Sequence, residues 1–248
     1  MTALTTPQLG AIRLESLPAI PSSTLVALPQ LGSLTSQFVV TLNSGVINAL
    51  TTGQIQSFTT ANFAALTTEQ YVALTAKQFA ALRSSQVAAI QPEDAVAIGA
   101  DIAGLAFTGA LSTSSFAALL TTQIQALTSA QFDLATSPQL ASLSSAQVAA
   151  MQSAQALAIG SADIKGLLAI NGLSTQATLA LAPEEIIGLT STQIRALTTA
   201  QLQSLSRDQL TALTTPQLGV IRLESLPAIL SSTLLAMPQL GSLTSQFL

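Results

Sequence analysis

The sequence predicts an all-α solenoid of very short helices, and three features predict it. An eight-residue pattern recurs along most of the 248 residues. Each copy of the pattern carries a complete helix-start signal, so a new helix is expected every eight residues. Proline, where it replaces a residue of the pattern, falls in the first turn of the expected helix, where its missing N–H costs no hydrogen bond.

The repeated unit is the octad Leu-Thr-x-x-Gln-Φ-x-Ala, in which Φ is Leu, Ile, Val or Phe. Its Thr and Gln have the spacing of a capping box, in which each side chain accepts a hydrogen bond from the other residue's backbone N–H. The Leu before Thr and the apolar residue after Gln have the spacing of a hydrophobic staple. We assign this structural capping role to four representative pairs: Thr67 and Gln70, Thr75 and Gln78, Thr190 and Gln193, Thr198 and Gln201.

A single long helix does not fit the octad. Eight residues advance about 80° beyond two helical turns, so the leucines would spiral around the helix, and coiled coils need periods of seven or eleven. We therefore expect separate helices of about five to seven residues, which are unstable alone and must stack on one another. A β-solenoid is the alternative, but Ala, Leu and Gln favour helices. We expect Ala, Leu and Ile in the core and Thr, Ser and Gln on the surface.

Longer repeats are superimposed on the octads. Residues 2–39 recur as 211–248 with five differences, so 1–248 is one continuous array that holds a 209-residue repeat and about 38 residues of the next. Gly-containing hexads interrupt the octads and delimit sub-blocks 34–110, 111–172 and 173–242. Because glycine supports tight backbone bends, we predict a corner or kink of the solenoid at each hexad, and a locally shortened turn is the alternative. The glycines concerned are Gly32, Gly109, Gly172 and Gly241.

Composition excludes several classes of function. The chain has no Cys and no His, which removes thiol chemistry, Cys/His zinc sites and Ser-His-Asp triads. With seven Lys and Arg and a net charge of −4, it lacks the basic surface that nucleic acids require. No apolar run approaches the ~18–20 residues of a transmembrane span. We predict no catalytic, metal or cofactor site, and hence no enzyme.

Two periodic polar features suggest binding surfaces as alternatives to a capping role. A ladder of Gln at octad position 5 could hold a ligand or another chain, although helix capping explains its spacing better. Paired threonines, such as Thr51-Thr52 and Thr198-Thr199, could form an ordered hydroxyl array of the kind that binds ice, although the first Thr of most pairs is already the expected N-cap.

The Leu-Thr-x-x-Gln octads, the near-identical long copies, the absence of Cys and the few charges resemble the giant tandem-repeat surface or secreted proteins of bacteria that are described as adhesin-like. That resemblance implies an extracellular or cell-surface location and an extended stalk, filament or matrix element. The alternative is a solenoid scaffold that binds a cell-surface protein or glycan. We also expect the copies to associate with each other, end to end or side by side, because open solenoid ends expose apolar faces.

Overall fold

A computed structural model describes residues 31, 34–222 and 225. The chain divides into two compact halves, Met1–Ala126 and Leu127–Leu248. The described residues form helices and no strands, and a helix is called η where it is of the 3₁₀ type. The first half contains α1 (Ser36–Val40), α2 (Ser44–Ala49), α3 (Thr52–Ser57), α4 (Thr60–Ala64), α5 (Thr68–Val72), α6 (Ala76–Ala80), α7 (Ser84–Val87), α8 (Pro92–Ala97), η1 (Gly99–Gly104), η2 (Thr108–Ala110), α9 (Thr113–Ala118) and α10 (Thr121–Ala126).

The described part of the second half holds as many α-helices and 3₁₀ helices as that of the first. It contains α11 (Ser129–Asp133), α12 (Ser137–Ala141), α13 (Ser145–Ala149), α14 (Ser153–Leu157), η3 (Ile164–Gly166), η4 (Ile170–Gly172), α15 (Thr175–Ala180), α16 (Pro183–Gly188), α17 (Ser191–Ala196), α18 (Thr199–Ser204), α19 (Arg207–Ala212) and α20 (Thr215–Leu218). The predicted fold class, an all-α solenoid of very short helices built from eight-residue repeats, is thereby confirmed.

Each α-helix starts where its octad predicts. In α5 the N-cap is Thr67, in an extended conformation, and the helix stops at Ala73, one residue before the Leu that opens the next octad. Proline stands in the first turn of α8, α12, α16 and α20, where helix geometry tolerates it. The helices are only four to six residues long, slightly shorter than expected.

Three consecutive repeat units make one coil of the solenoid. In the first half, α1 packs on α4, α2 on α5 and α3 on α6, so every element contacts the one three units further along. The second half obeys the same rule, with α15 on α18, α16 on α19 and α17 on α20. A coil made only of octads therefore contains 24 residues, a number that the sequence pattern alone did not reveal.

The core of each coil is built from octad positions 1 and 6. In the octad that begins at Leu66, the side chains of Leu66 and Tyr71 are buried, and the next octad buries Leu74 and Phe79 in the same way. Position-6 side chains of neighbouring units meet in the middle of the coil, where the rings of Phe63 and Tyr71 pack edge to face with centroids 5.4 Å apart. Most of the described octads thus bury two large apolar side chains, and each such side chain stabilises the fold by roughly 1.5–3 kcal/mol.

Units shorter than eight residues keep their place in the coil. The heptad and hexad of the first half form η1 and η2, and α8 still packs on α9 three units later. In the second half the eight-residue unit of η3 and the hexad of η4 likewise lie between α14 and α15, which contact each other. A short unit therefore replaces an α-helix by a tighter 3₁₀ turn without losing the three-unit register.

Backbone conformation at the glycines differs from the expectation for the hexads. Among the described residues, the glycine with positive φ is Gly99, at 63°, which belongs to the heptad rather than to a hexad. Gly109 and Gly172 lie within η2 and η4, and Gly32 and Gly241 lie outside the described residues. That the hexads kink the solenoid remains a prediction.

Candidate functional site: the glutamine seam between coils

The glutamines at octad position 5 are buried, which corrects the expectation that Gln lies on the surface. Gln70, Gln78 and Gln86 are exposed by 2%, 2% and 0%. They lie in the first turn of their helices, pressed against the preceding coil. We call this row of position-5 side chains the glutamine seam; in the described residues its Gln members are Gln54, Gln70, Gln78, Gln86, Gln123, Gln131, Gln139, Gln147, Gln155, Gln193, Gln201, Gln209 and Gln217.

Gln70 shows how one amide serves two coils. Its Oε1 accepts from the backbone N–H of Thr67, 2.9 Å away, which completes the capping box of its own helix. Its Nε2 donates to the carbonyls of Val39 at 2.8 Å and Leu42 at 2.6 Å, which belong to the preceding coil. Val39 lies in the last turn of α1, where its carbonyl also accepts from the backbone N–H of Leu42 just beyond the helix, at 3.1 Å. The side chain therefore caps a helix start and a helix end at once.

The hydrogen bond from a seam glutamine to the preceding coil always reaches back three units, although the number of residues between donor and acceptor varies. Gln78 donates to the carbonyl of Leu50, 28 residues earlier at 2.7 Å, which is position 1 of the unit three units before. In the coil that contains the η4 hexad, Gln193 donates to Leu167, only 26 residues earlier, at 3.0 Å. Both acceptors are position-1 carbonyls, so the seam bridges the same sites whether or not the coil is shortened.

The structure places all four representative pairs in capping boxes. In each pair the Gln Oε1 accepts from the N-cap backbone N–H, at 2.9 Å for Thr190 and Gln193 and at 2.8 Å for Thr198 and Gln201. The Thr hydroxyls accept from the Gln backbone N–H, and some of them also donate to Oε1, as Thr75 does to Gln78 at 3.0 Å. Thr198, the first Thr of the Thr198-Thr199 pair, is consequently engaged in helix capping.

Other side chains in the seam reproduce part of the glutamine geometry. Asn62 donates from Nδ2 to the carbonyl of Leu34 at 2.9 Å, again position 1 three units earlier. Ser115 donates from Oγ to the carbonyl of Ile90 at 2.8 Å, across the coil that contains the heptad and a hexad. The contact between coils is thus retained even where the side chain is shorter.

Asp94 is the buried acidic member of the seam. It is 5% exposed and accepts a hydrogen bond from the Thr68 hydroxyl at 2.8 Å. A carboxylate has no N–H to donate to the preceding coil, where the carbonyl of Phe63 accepts instead from the Tyr71 hydroxyl at 2.8 Å. Burial raises the pKa of Asp94, and the neighbouring Glu93 adds to the rise, whereas the hydrogen bonds from Thr68 and from the Gln91 backbone lower it. The only tyrosine of the chain therefore supplies the donor that Asp94 lacks.

At four units the last residue is a glycine that lies too close to the preceding coil for a side chain. A Cβ on Gly172 would lie 2.7 Å from the carbonyl oxygen of Ser145, and one on Gly188 would lie 2.6 Å from that of Ser161. Gly104 and Gly166 make the same approach to position 3 of the unit three units earlier. Close backbone packing rather than positive φ explains these glycines.

Sequence reasoning found the capping half of the seam and missed the bridging half. One signal was available: a capping box accepts Glu as readily as Gln, and a negative charge is favoured at a helix N-terminus. The octads nevertheless use Gln in at least fourteen cases. A preference for the amide indicates that its N–H₂ group has a partner.

Two further observations concern metals and membranes. Within residues 34–222, no three Asp or Glu side chains come together in a group that could hold a metal ion. None of the helices in the described part of the chain has the length and hydropathy to cross a bilayer.

Comparison with known families finds the ALTTAQ repeat. The model of this repeat family matches residues 60–92 and 186–220, which lie in octad-only stretches of the two halves. These two matches support the classification of the chain as a repeat protein. No curated protein matches the chain.

Proposed function

We propose that this chain is a structural element of an extended extracellular stalk, filament or matrix, built by stacking of its short-helix coils, and that it is not an enzyme. The glutamine seam carries the proposal. It repeats the same bridging hydrogen bond at successive units, as with Gln201, Gln209 and Gln217, and so provides a contact that can be repeated indefinitely along an array.

The seam also favours a structural role over ligand binding by a Gln ladder. In Gln209 the Oε1 accepts from the Ser206 backbone and Nε2 donates to the carbonyls of Thr178 and Leu181. These amides are buried and their hydrogen bonds are made within the chain, which leaves little for a ligand to recognise.

The self-association on which a filament depends is tested with the purified chain. We expect extended particles or fibres by negative-stain electron microscopy, together with a sedimentation coefficient that rises with protein concentration. Monodisperse monomers at every concentration would overturn the filament proposal. Labelling of intact producing cells with an antibody against the chain tests the proposed location, which would be wrong if labelling required permeabilised cells.

A row of exposed leucines favours a binding scaffold as the second candidate. Leu134, Leu157 and Leu179 follow one another on the consecutive coils of α11, α14 and α15, and about half of each side chain is exposed. Apolar side chains that stay exposed on consecutive coils mark a candidate protein-binding surface. Adhesion of coated beads to cells should fall when all three are replaced by Ser; equal adhesion by the variant would exclude this face.

A further inference from the structure

We propose that a surface pocket beside α7 and η2 binds a carboxylated sugar, such as a hexuronic acid residue of an acidic polysaccharide. This binding activity is additional to the proposed structural role and does not depend on it. The pocket lies within the first half of the chain, is open to solvent and has a volume of about 550 Å³, which is within the range of ligand pockets. An arginine and a phenylalanine, Arg83 and Phe107, line it together.

Phe107 presents an aromatic ring to solvent where the fold does not need one. Its side chain is 46% exposed, and in the hexad of η4 the residue directly before the 3₁₀ helix is Ala169 instead. The other phenylalanines of the described residues are exposed by 3% or less, namely Phe38, Phe58, Phe63, Phe79, Phe116 and Phe132. Packing in the core therefore explains those rings but not that of Phe107, which offers a flat and apolar face to a ligand.

Arg83 stands at octad position 2, where the repeat pattern places the capping Thr. An arginine has no acceptor with which to cap α7. Its Nη2 donates to the carbonyl of Phe58 at 3.0 Å, but that carbonyl also accepts from Nε2 of Gln86 at 3.0 Å. The preceding coil thus does not depend on the arginine, and the other N–H donors of the guanidinium face the pocket without a partner among the described residues.

The charge of Arg83 selects a ligand that carries a carboxylate. None of the described residues that line the pocket is acidic, so the guanidinium has no counter-ion there. A guanidinium binds a carboxylate through two parallel hydrogen bonds, which are stronger than those between neutral groups. A neutral ligand would leave this interaction unused.

The remaining polar groups of the pocket match the hydroxyls of a sugar. Nε2 of Gln56 donates to the carbonyl of Ala81 at 2.7 Å, which fixes the amide in place. Its Oε1 and the hydroxyls of Ser84 and Ser85 make no hydrogen bond with the described residues. A hexuronic acid combines a carboxylate, a ring face of C–H groups and several hydroxyls, whereas an aromatic carboxylate would leave Gln56 and the serines without a partner.

Fluorescence titration tests the ligand, because the chain contains no Trp and Phe107→Trp introduces a single reporter that keeps an aromatic face. We expect trigalacturonate to change the indole emission of this full-length variant saturably. The neutral trisaccharide galactotriose and the aromatic acid benzoate should each bind at least about tenfold more weakly. Equal or tighter binding of either control, or no saturable change with trigalacturonate, would overturn the proposal.

Replacement of Arg83 by Thr separates binding from folding, since it restores the capping residue of the octad. In the Phe107→Trp background, Arg83→Thr should weaken trigalacturonate binding at least about tenfold without lowering the melting temperature. Arg195→Thr, which removes an exposed arginine from the second half, is the matched control and should bind as before. Calorimetric titration of the native chain and of Phe107→Ala needs no reporter, and Phe107→Ala should bind severalfold more weakly. Undiminished binding by Arg83→Thr would overturn the assignment.

Discussion

At the scale of single residues, the amide group decides how well two coils are held together. Gln78 accepts from Thr75 N–H at 2.7 Å and donates to the carbonyls of Ile47 at 2.9 Å and Leu50 at 2.7 Å. A buried polar group that loses its partner costs about 1–3 kcal/mol, more than the net gain of a typical hydrogen bond. Glutamine is suited to the position because it has both an acceptor and two donors.

Replacement of Gln78 by Glu separates the capping function from the bridging function. The carboxylate keeps the acceptor for Thr75 N–H but faces the carbonyls of Ile47 and Leu50 without a donor. We expect Gln78→Glu to lower the free energy of unfolding at neutral pH by at least about 1–3 kcal/mol, measured by urea denaturation. The adjacent exposed Lys77→Glu serves as the control and should shift it by less than about 0.5 kcal/mol. A neutral or stabilising effect of Gln78→Glu would show that capping alone accounts for the glutamine.

Asp94 makes stability depend on pH in a defined direction. Since burial raises its pKa in the folded chain, the folded state holds the proton to higher pH than the unfolded state does. The contribution of Asp94 to the free energy of unfolding is therefore present at low pH and is lost as the pH rises through the raised pKa. Asp94→Asn removes this loss of stability because an amide does not ionise. Asn62 shows that an Asn in the seam can also donate to the preceding coil.

We expect Asp94→Asn to stabilise the chain at neutral pH by about 1 kcal/mol, the worth of one hydrogen bond. The corresponding rise in melting temperature is about 2–4 °C. The difference between variant and native chain, followed by circular dichroism between neutral pH and about pH 3, should shrink as the pH falls through the raised pKa of Asp94. A difference that is constant over this range, or that grows towards acid pH, would contradict the assignment.

At the scale of the element, the octad contains its own start signal but depends on its neighbours for stability. The capping box and the staple are local, which is why the positions of the helix starts could be predicted from residues such as Thr67 and Gln70 alone. A helix of five residues is unstable by itself, so its existence depends on the coil before and the coil after it. The number of units per coil is set by packing between units of identical pattern, and the pattern carries no information about that number.

The sequence indicated that the glycines at unit ends occupy special positions, but it could not show why glycine is needed there. A bend at Gly172, expected from its place in a hexad, stays a prediction; the structure adds that a Cβ there would lie 2.7 Å from the carbonyl oxygen of Ser145 on the preceding coil. The position of Ser145 opposite Gly172 follows only from the three-unit register. The local sequence identifies such a glycine, and its close packing on the neighbouring coil explains why a side chain is not tolerated there.

Replacement of Gly172 by Ala is expected to be strongly destabilising. The new Cβ would lie 2.7 Å from a backbone oxygen, which can yield only if the two coils separate. We expect a loss of about 1–3 kcal/mol, typical of overpacking, in the free energy of unfolding. Gly53→Ala is the matched control: it lies within α3 with nothing within 4 Å of the new Cβ, so it should stabilise by about 0.5–1 kcal/mol. Equal effects of the two substitutions would show that the close approach at Gly172 is not a constraint.

At the scale of the whole molecule, the described coils within each half pack on the coil before and the coil after them. Such contacts make stability approximately additive over units, so that an array can be lengthened without a new core. Few charges and an apolar interior are compatible with this architecture because most of the described octads bury their own two apolar side chains. The proposed stalk or filament uses this property.

The central claim is that the solenoid completes one coil in three repeat units, and disulfide mapping tests it most directly. Ser36→Cys is combined in turn with Gln54→Cys, Asn62→Cys and Gln70→Cys, which lie two, three and four units after the octad of Leu34 that contains Ser36. The Ser36 hydroxyl contacts Oδ1 of Asn62 at 3.2 Å. We predict rapid intramolecular disulfide formation for the Ser36→Cys/Asn62→Cys pair alone. Preferential oxidation of the Gln54→Cys or Gln70→Cys pair would show a different number of units per coil and would contradict the account.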